Sequence, residues 1–493
     1  MGNNERMTEY ERRRLENIKR NDEMLAALKI HSKLNDLSAK RQRRSYKRSS
    51  VKKPKTESPV VLRQSLRTRG VSPDAATARG LHVDTDNKKQ IKKIRHLNSN
   101  SVDRKSPWEQ GPLLMRDAYT GDDGLDKKLI ETFSCLQKSM QSNGDTVHCD
   151  SIDNLHKSQD IETFKARKRL WGAVNVETLQ LKPKNITRLV QGRIMSLRFF
   201  PTPDMQMVVV GNKFGGMGFW NVNGKNDDGD GIYLFHPHSG AISGIAIDPV
   251  SISKVYSSCY DGFIRLMDVE KEVFDMVYSS EYTIYSISLS PRDVKSLYFS
   301  EGKGRVNMWD VRAGKSLLSC YLHEDRINTI DFNSENEDIM ATSSTDGTAC
   351  IWDLRLMNAD KPTPLKTVSH KRAVHSAYFS PTGKFLATTS IDDKVGLLSG
   401  ANYENASMVY HYNQTDRGMS TFRGIWGWDD SSIYIGNMER GVDVISVPGK
   451  KTVATLESGF VSDITCRFDA HPYNVGMLAG ATSGGQVYIW TVS

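Results

Sequence analysis

Residues 339–355, Ile339-Met340-Ala341-Thr342-Ser343-Ser344-Thr345-Asp346-Gly347-Thr348-Ala349-Cys350-Ile351-Trp352-Asp353-Leu354-Arg355, decide the fold. An apolar run closes on a small-residue triplet, a turn with Asp and Gly follows, and a second apolar run ends on an aromatic–Asp pair. The same element recurs through the carboxy-terminal part of the chain. Its anchors are Trp220, Met267, Trp309, Trp352, Leu398, Ile445 and Trp490, spaced by 47, 42, 43, 46, 47 and 45 residues.

A period of about 40–45 residues with a Trp-Asp signature marks propeller blades of four strands, each anchor lying in a third strand. Seven anchors predict an all-β fold, a seven-bladed WD-repeat β-propeller. A second register runs through the same repeats. His238, His323 and His370 precede Asp261, Asp346 and Asp392 by 23, 23 and 22 residues. Three such pairs resemble catalytic dyads, but an enzyme has no use for the same pair in successive repeats, so they read as hydrogen bonds that tie strands together.

Only Thr491, Val492 and Ser493 follow Trp490, so the last blade needs its fourth strand from elsewhere. The alternating stretch Val176-Glu177-Thr178-Leu179-Gln180-Leu181 is the expected donor, and pairing it there leaves no open sheet edge. The propeller domain is accordingly placed at 164–493, with a helix at 1–35 and a basic tail and linker at 36–163.

Charge separates these parts. Residues 1–110 hold 28 Lys/Arg and 13 Asp/Glu, a net of +15, while the remaining 39 and 45 leave a net of −6. The run Lys40, Arg41, Arg43, Arg44, Lys47, Arg48, Lys52, Lys53, Lys55 contains no acidic residue and cannot bury itself. It reads as a nuclear localisation signal or a nucleic-acid contact, and it places the protein in the nucleus. Ahead of it, Thr8-Glu9-Tyr10-Glu11 has a capping-box pattern, and Leu15, Ile18, Leu25 and Leu28 form a thin stripe suited to docking on a partner. Ser58-Pro59, Ser72-Pro73 and Ser106-Pro107 match proline-directed phosphorylation sites. Residues 56–160 read as mostly disordered linker, with Phe133 to Met140 as a short docking segment.

No phosphate-binding glycine loop, metal-ligand cluster or nucleophile motif stands out, so no enzymatic activity and no cofactor are expected. Gly211-Asn212-Lys213-Phe214-Gly215-Gly216 lies between two strands and reads as a blade turn. The scattered cysteines read as small buried hydrophobes. No apolar run is long enough to span a bilayer.

Two constellations point to partners. Trp309-Asp310-Val311-Arg312 and Trp352-Asp353-Leu354-Arg355 set one Arg after the Trp-Asp pair in adjacent blades. The pattern resembles the WDxR box of substrate receptors that bind the large damaged-DNA-binding adaptor of cullin-4 ubiquitin ligases. That resemblance implies roles for Asp310, Arg312, Asp353 and Arg355 in adaptor binding. The second constellation is basic: Arg193, Lys213, Lys303, Arg326, Lys371, Arg372 and Arg417 fall in loops expected to crowd one face, a candidate phosphate-binding surface. Glu324 and Asp325 dilute it, and ordinary solvated loop charge is the plain alternative.

Tyr10-Glu11 with Asn17-Ile18 and Asn21, Leu179 to Arg188, Gly192-Arg193-Ile194, Phe199-Phe200-Pro201 and Gly211 to Gly215 resemble the WD repeat-containing protein 76 family, in a plant member. The family is related to a fungal DNA-damage-binding WD-repeat protein and to the small damaged-DNA-binding subunit. The resemblance implies a nuclear chromatin protein that binds DNA, preferably damaged, and joins a cullin-4 ligase. The stretch His411-Tyr412-Asn413-Gln414-Thr415-Asp416-Arg417-Gly418 departs from the family's Trp-bearing hairpin between blades five and six. Without that apolar wedge, unstacking a base is less well offset. A non-DNA-binding chromatin or histone scaffold remains the alternative reading.

Overall fold

The computed structural model describes residues 16, 19–20, 111–121, 127–134, 172–203, 205–224, 230–293, 295–358, 361–412 and 421–493. The chain divides into a unit at Met1–Asn100 and a second at Ser101–Ser493. In the first, Glu16, Lys19 and Arg20 are helical and exposed. The rest of the expected helix, the Lys40–Lys55 run and Arg417 lie outside the described residues.

The second unit is a seven-bladed β-propeller, and each blade is an antiparallel up-and-down sheet of four strands. All seven anchors fall in third strands, as the spacing predicts: Met217–Asn221, Phe263–Asp268, Arg305–Asp310, Thr348–Asp353, Lys394–Ser399, Val442–Ser446 and Gln486–Val492. Trp220, Met267, Leu398, Ile445 and Trp490 are at most 1% exposed, because third strands pack between neighbouring blades. Each such side chain contributes roughly 1.5–3 kcal/mol of apolar burial. The first strands of neighbouring blades touch one another and form the inner ring.

A Gly in the turns between second and third strands carries a left-handed φ, +87° at Gly262, which follows Asp261, and +88° at Gly485, which follows Gly484. A Cβ there would collide with Ser280 O or Val190 O, backbone of the connection that leaves the blade. These turns therefore seat directly on the loop that leaves the blade for the next one.

Ring closure holds, with a shifted donor. Val176–Thr178 is a 3₁₀ turn, started by Asn175, whose side chain accepts from Glu177 N at 3.1 Å. The closing strand is Leu179–Arg188, paired antiparallel to Gln486–Val492 with Leu179 opposite Val492 and Arg188 opposite Gln486. Its register breaks between Leu181 and Ile186. Pro183, which has no N–H to give, sits in that break. Asn185 bridges it by donating to Ile489 O at 3.2 Å. The donor starts later than its alternation suggested because the local Asn175 turn satisfies the backbone of residues 177–178 first.

One expectation needs correcting. Within the stretch read as linker, residues 111–121 and 127–134 are folded onto blades 1 and 2. Leu113–Leu114 pairs with the outer strand Val273–Ser279 as a fifth strand of blade 2. The short helix Met115–Ala118 and a bridge from Tyr119 to Phe235 follow. Residues 127–134 form a further helix that buries Leu129 and Phe133. Both join a core cluster with Phe200, Phe235 and Phe274. The Phe133–Phe200 ring centroids are 5.3 Å apart. A strap of two short pieces shows no period of its own; its apolar residues make sense only against the seam they cover.

Candidate nucleic-acid interface

In an up-and-down blade, successive connections emerge at alternate ends. One face of the ring therefore carries the turns between second and third strands and the loops that enter each blade. The other face carries the turns between first and second and between third and fourth strands.

The first face is held by the expected His–Asp network. His323 Nδ1 lies 3.0 Å from Asp346 and its Nε2 lies 2.7 Å from Thr342 Oγ1, which also accepts from Trp352 Nε1 at 2.8 Å. His238 joins Asp261 at 3.2 Å and Ser257 at 2.8 Å. His370 joins Asp392 at 3.3 Å and Thr388 at 2.9 Å. In each case the loop, the turn and the second strand become one hydrogen-bonded unit. Burial lowers the pKa of His238 and His370, so both imidazoles are neutral at pH 7. Burial alone would raise Asp261, but the hydrogen bond from His238 keeps its carboxyl below the ordinary range.

A fourth pair escaped the spacing rule. His411 Nε2 lies 2.8 Å from Asp443, 32 residues on. Here the carboxylate sits in the third strand, and Asn437 takes over the turn. His238, Cys259 and Asp261 bring ligand-type atoms within 4.8 Å of one another. Both His238 nitrogens are already engaged by Asp261 and Ser257, and burial pushes the Cys259 thiol far up. This grouping is structural.

The described basic loop residues fall on this first face. Arg193 enters blade 1, and Lys213 caps the next turn, its N–H donating to Arg193 O at 2.9 Å. Arg193, Lys213 and Tyr260 line one cavity. Lys303 lies in the turn of blade 3, Arg326 enters blade 4, and Lys371 and Arg372 enter blade 5; Lys213, Lys303, Lys371 and Arg372 are exposed. Aromatic residues stand between them, of which sequence reading had marked only Tyr412, in the stretch that departs from the family's hairpin. Phe214 is 56% exposed, Tyr282 56% and Tyr412 57%, with Tyr412 stacked on Tyr410 at 6.3 Å. Cations beside exposed aromatic rings suit a phosphate backbone and unstacked bases.

Also missed are Tyr285, Asn328 and His375, each one step inside the first strand of its blade, and Arg423, just ahead of Ile425–Trp426. Arg423 Nη2 reaches across from blade 6 to donate to Asn328 O at 3.1 Å. Arg467 donates to Met195 O at 2.8 Å, and its other nitrogens hold Thr421. The Arg326 guanidinium lies 5.4 Å from the Tyr285 ring centre. Burial, with Arg423, Arg467 and Arg326 around it, pushes His375 down to about 3.

The opposite face carries both WDxR motifs, and they differ. Asp310 accepts from the backbone N–H of Arg312 and of Ala313, each at 2.9 Å, and the Arg312 side chain is exposed. Arg355 is folded back: its Nε and Nη2 donate to Asp353 at 3.0 and 2.7 Å, and Asp338 stands 3.4 Å away. Arg292 also pairs with Asp338, at 2.5 Å. The channel opens on this side into a cavity of about 400 Å³ whose lining includes Arg198, Asp331 and Asp469.

The WD domain, G-beta repeat family matches residues 314–353 and 362–397. WD repeat-containing protein 76 of Xenopus laevis is 26% identical over 98% of this chain and 80% of its own length. DNA damage-binding protein cmr1 of Aspergillus oryzae is 25% identical over 99% of both chains. WD repeat-containing protein 76 of Mus musculus is 24% identical over 98% of this chain and 74% of its own. By repeat and by fold the chain is a seven-bladed WD-repeat β-propeller, and its homologues over nearly the full length are WD repeat-containing protein 76 and the fungal DNA damage-binding protein cmr1.

Proposed function

We propose that this protein is a non-enzymatic, nuclear DNA-binding propeller acting in the DNA-damage response, and a substrate receptor of a cullin-4 ubiquitin ligase. One observation carries the DNA reading. Arg193, Lys213, Lys303, Arg326, Lys371 and Arg372 share one face with exposed Phe214 and Tyr282, although residues 111–493 have a net charge of −6. The names of the fungal relatives point the same way. Loop cations hold backbone phosphates, the aromatic rings take any base that leaves the stack, and the basic run at Lys40–Lys55 adds affinity and nuclear import. On the opposite face, Arg312 meets the ligase adaptor, with Asp310 shaping the turn that presents it.

The test is duplex binding by the full chain across a salt series. Each neutralised phosphate contributes about −0.9 to the slope of log K against log salt, so changing Lys213, Lys303 and Lys371 together to Ala should flatten the slope by about 3. An unchanged slope leaves the tail as the only contact and favours the scaffold reading. Exposed Glu324 and Asp325 on the same face would then suit a basic histone segment.

A further inference from the structure

The strap shows what a seam between two blades of this ring accepts. On blade 1, His236 N donates to Ala118 O at 2.7 Å, and the Tyr119 ring rests on Phe235 with centroids 5.1 Å apart. On blade 2, Leu113 lies opposite Phe274 and Leu114 opposite Val273. Arg265 Nη1 donates to Gly111 O at 3.4 Å. Phe235, Arg265 and Phe274 are fully buried in this seam.

The seam between blades 3 and 4 has the same construction and, among the described residues, no strap. Cys320 stands opposite Val306, three residues before the anchor Trp309, as Phe235 stands opposite Met217, three before Trp220. Tyr321 therefore takes the place of His236. Lys366 stands opposite Ile351, which brings Leu365 level with the anchor Trp352, the place that Phe274 holds in blade 2. Cys350 precedes its anchor by two residues, as Arg265 does. Two small cysteines in place of Phe235 and Arg265 leave room. Tyr321, Cys350, Trp352, Pro362 and Pro364 line a groove of about 530 Å³ there. Tyr321 is 59% exposed and Leu365 50%. Exposed apolar side chains gathered beside a groove mark an interaction surface.

We propose that the seam between blades 3 and 4 binds a short extended segment of a partner protein, an apolar pair followed by an aromatic residue, as in Leu113, Leu114 and Tyr119. The segment adds to the outer strand Lys315–Tyr321 through main-chain hydrogen bonds, as Ala118 does at His236. Pro362 and Pro364 have no N–H to offer, so the pairing falls on blade 3 and the side chains fill the groove. A second copy of this chain has no strap to spare, because its own is engaged on blades 1 and 2. The seam lies on the outer rim and stands as a site whether or not the loop face binds duplex DNA.

The experiment is an anisotropy titration of the full chain with a labelled peptide of residues 111–120, Gly-Pro-Leu-Leu-Met-Arg-Asp-Ala-Tyr-Thr. Its one Arg and one Asp cancel, so charge does not direct it to the basic loops. Saturable binding that salt leaves unchanged is expected, and none by a scrambled peptide of the same composition. Tyr321→Ala combined with Leu365→Ser should weaken binding by about tenfold or more and leave Tm nearly unchanged, since both side chains are exposed. Leu356→Ser, exposed in a turn outside the groove, should bind as the wild type does. Binding that the double variant leaves intact puts the peptide elsewhere, in exchange with the strap, and overturns the site, as does no saturable binding. Concentration-dependent dimerisation of the full chain that the double variant abolishes would make a second copy the occupant and overturn the assignment to a partner.

Discussion

Arg326 and Arg355 belong to the same blade and stand at opposite faces of the ring, and their surroundings are opposite as well. Arg326 lies over an aromatic ring, with Arg423 and Arg467 nearby and its Nε unpartnered among the described residues. Arg355 lies between Asp353 and Asp338, and the latter is shared with Arg292. The first face gathers cations around Arg326, with Glu324 and Asp325 exposed beside them; the other neutralises Arg355 locally and leaves Arg312 projecting. The lesson is that a basic residue speaks for a polyanion only where the carboxylates are elsewhere. A count of Lys and Arg per loop cannot see this, since what matters is which side chains the ring brings within reach.

The largest effect is expected from breaking the ring that separates the two faces. A chain beginning at Val190 loses the Leu179–Arg188 strand and leaves the edge of Gln486–Val492 open. It should aggregate or lose its cooperative melt, whereas a chain beginning at Ser101 should melt as the full protein does. Equal melting of the two would show that the closing strand is dispensable.

The next effect tests the strap. Phe133→Ala empties a fully buried site beside Phe200, and a cavity of that kind costs about 3–5 kcal/mol. A drop in Tm of several degrees is expected, without loss of the remaining blades' cooperativity. No change would mean that residues 127–134 contribute nothing to the seam.

The comparison of arginines is sharpened by Arg312→Ala against Arg355→Ala, read by capture of the cullin-4 adaptor and by melting. Arg312→Ala should reduce capture by about tenfold and leave Tm unchanged, since its side chain is exposed. Arg355→Ala should lower Tm slightly as well, because Asp353 and Asp338 lose a shared cation. Equal capture by both variants and the wild type would remove the adaptor from the reading.

The smallest effect is a pH dependence on the WDxR face. His471 Nδ1 accepts the backbone N–H of Tyr473 and Asn474 at 3.1 and 3.0 Å, and burial pushes the imidazole down to about 4. The unfolded chain takes up this proton near pH 6.5. The stabilisation is therefore complete above that value, declines as pH falls from there, and is lost once pH has passed below about 4. His471→Asn keeps an acceptor for both N–H groups, as Asn333 does in the corresponding turn of blade 4. Its Tm should fall by a few degrees less than the wild type's between pH 7 and pH 5; parallel curves would show that His471 does not titrate in this range.

Much of the site was legible where chemistry repeats. The Asp346 and Asp392 turns were visible because each follows its His by nearly the same number of residues. The His411–Asp443 pair was not, because its carboxylate had moved into a strand. Lys213 and Lys303 were found by charge and loop position, while Phe214 and Tyr282 gave no signal, since an aromatic residue in a β protein is ordinarily core. Arg423, Arg467 and His375 are one residue each from three different blades, separated by 48 and 44 positions, and nothing local marks them as neighbours.

By itself the sequence determined the number of blades, the third-strand anchors, three of the strand-tying His–Asp pairs and the need for a borrowed last strand. All of these depend on short-range periodicity or on a missing segment that the chain must supply. Only the tertiary structure decided where the borrowed strand begins, that residues 111–121 and 127–134 strap two blades, and that Arg423 and Arg467 reach backbone carbonyls of other blades. Those outcomes depend on which apolar faces and carbonyl groups become adjacent when the ring closes. Closure brings together positions hundreds of residues apart, a relation that no local pattern encodes.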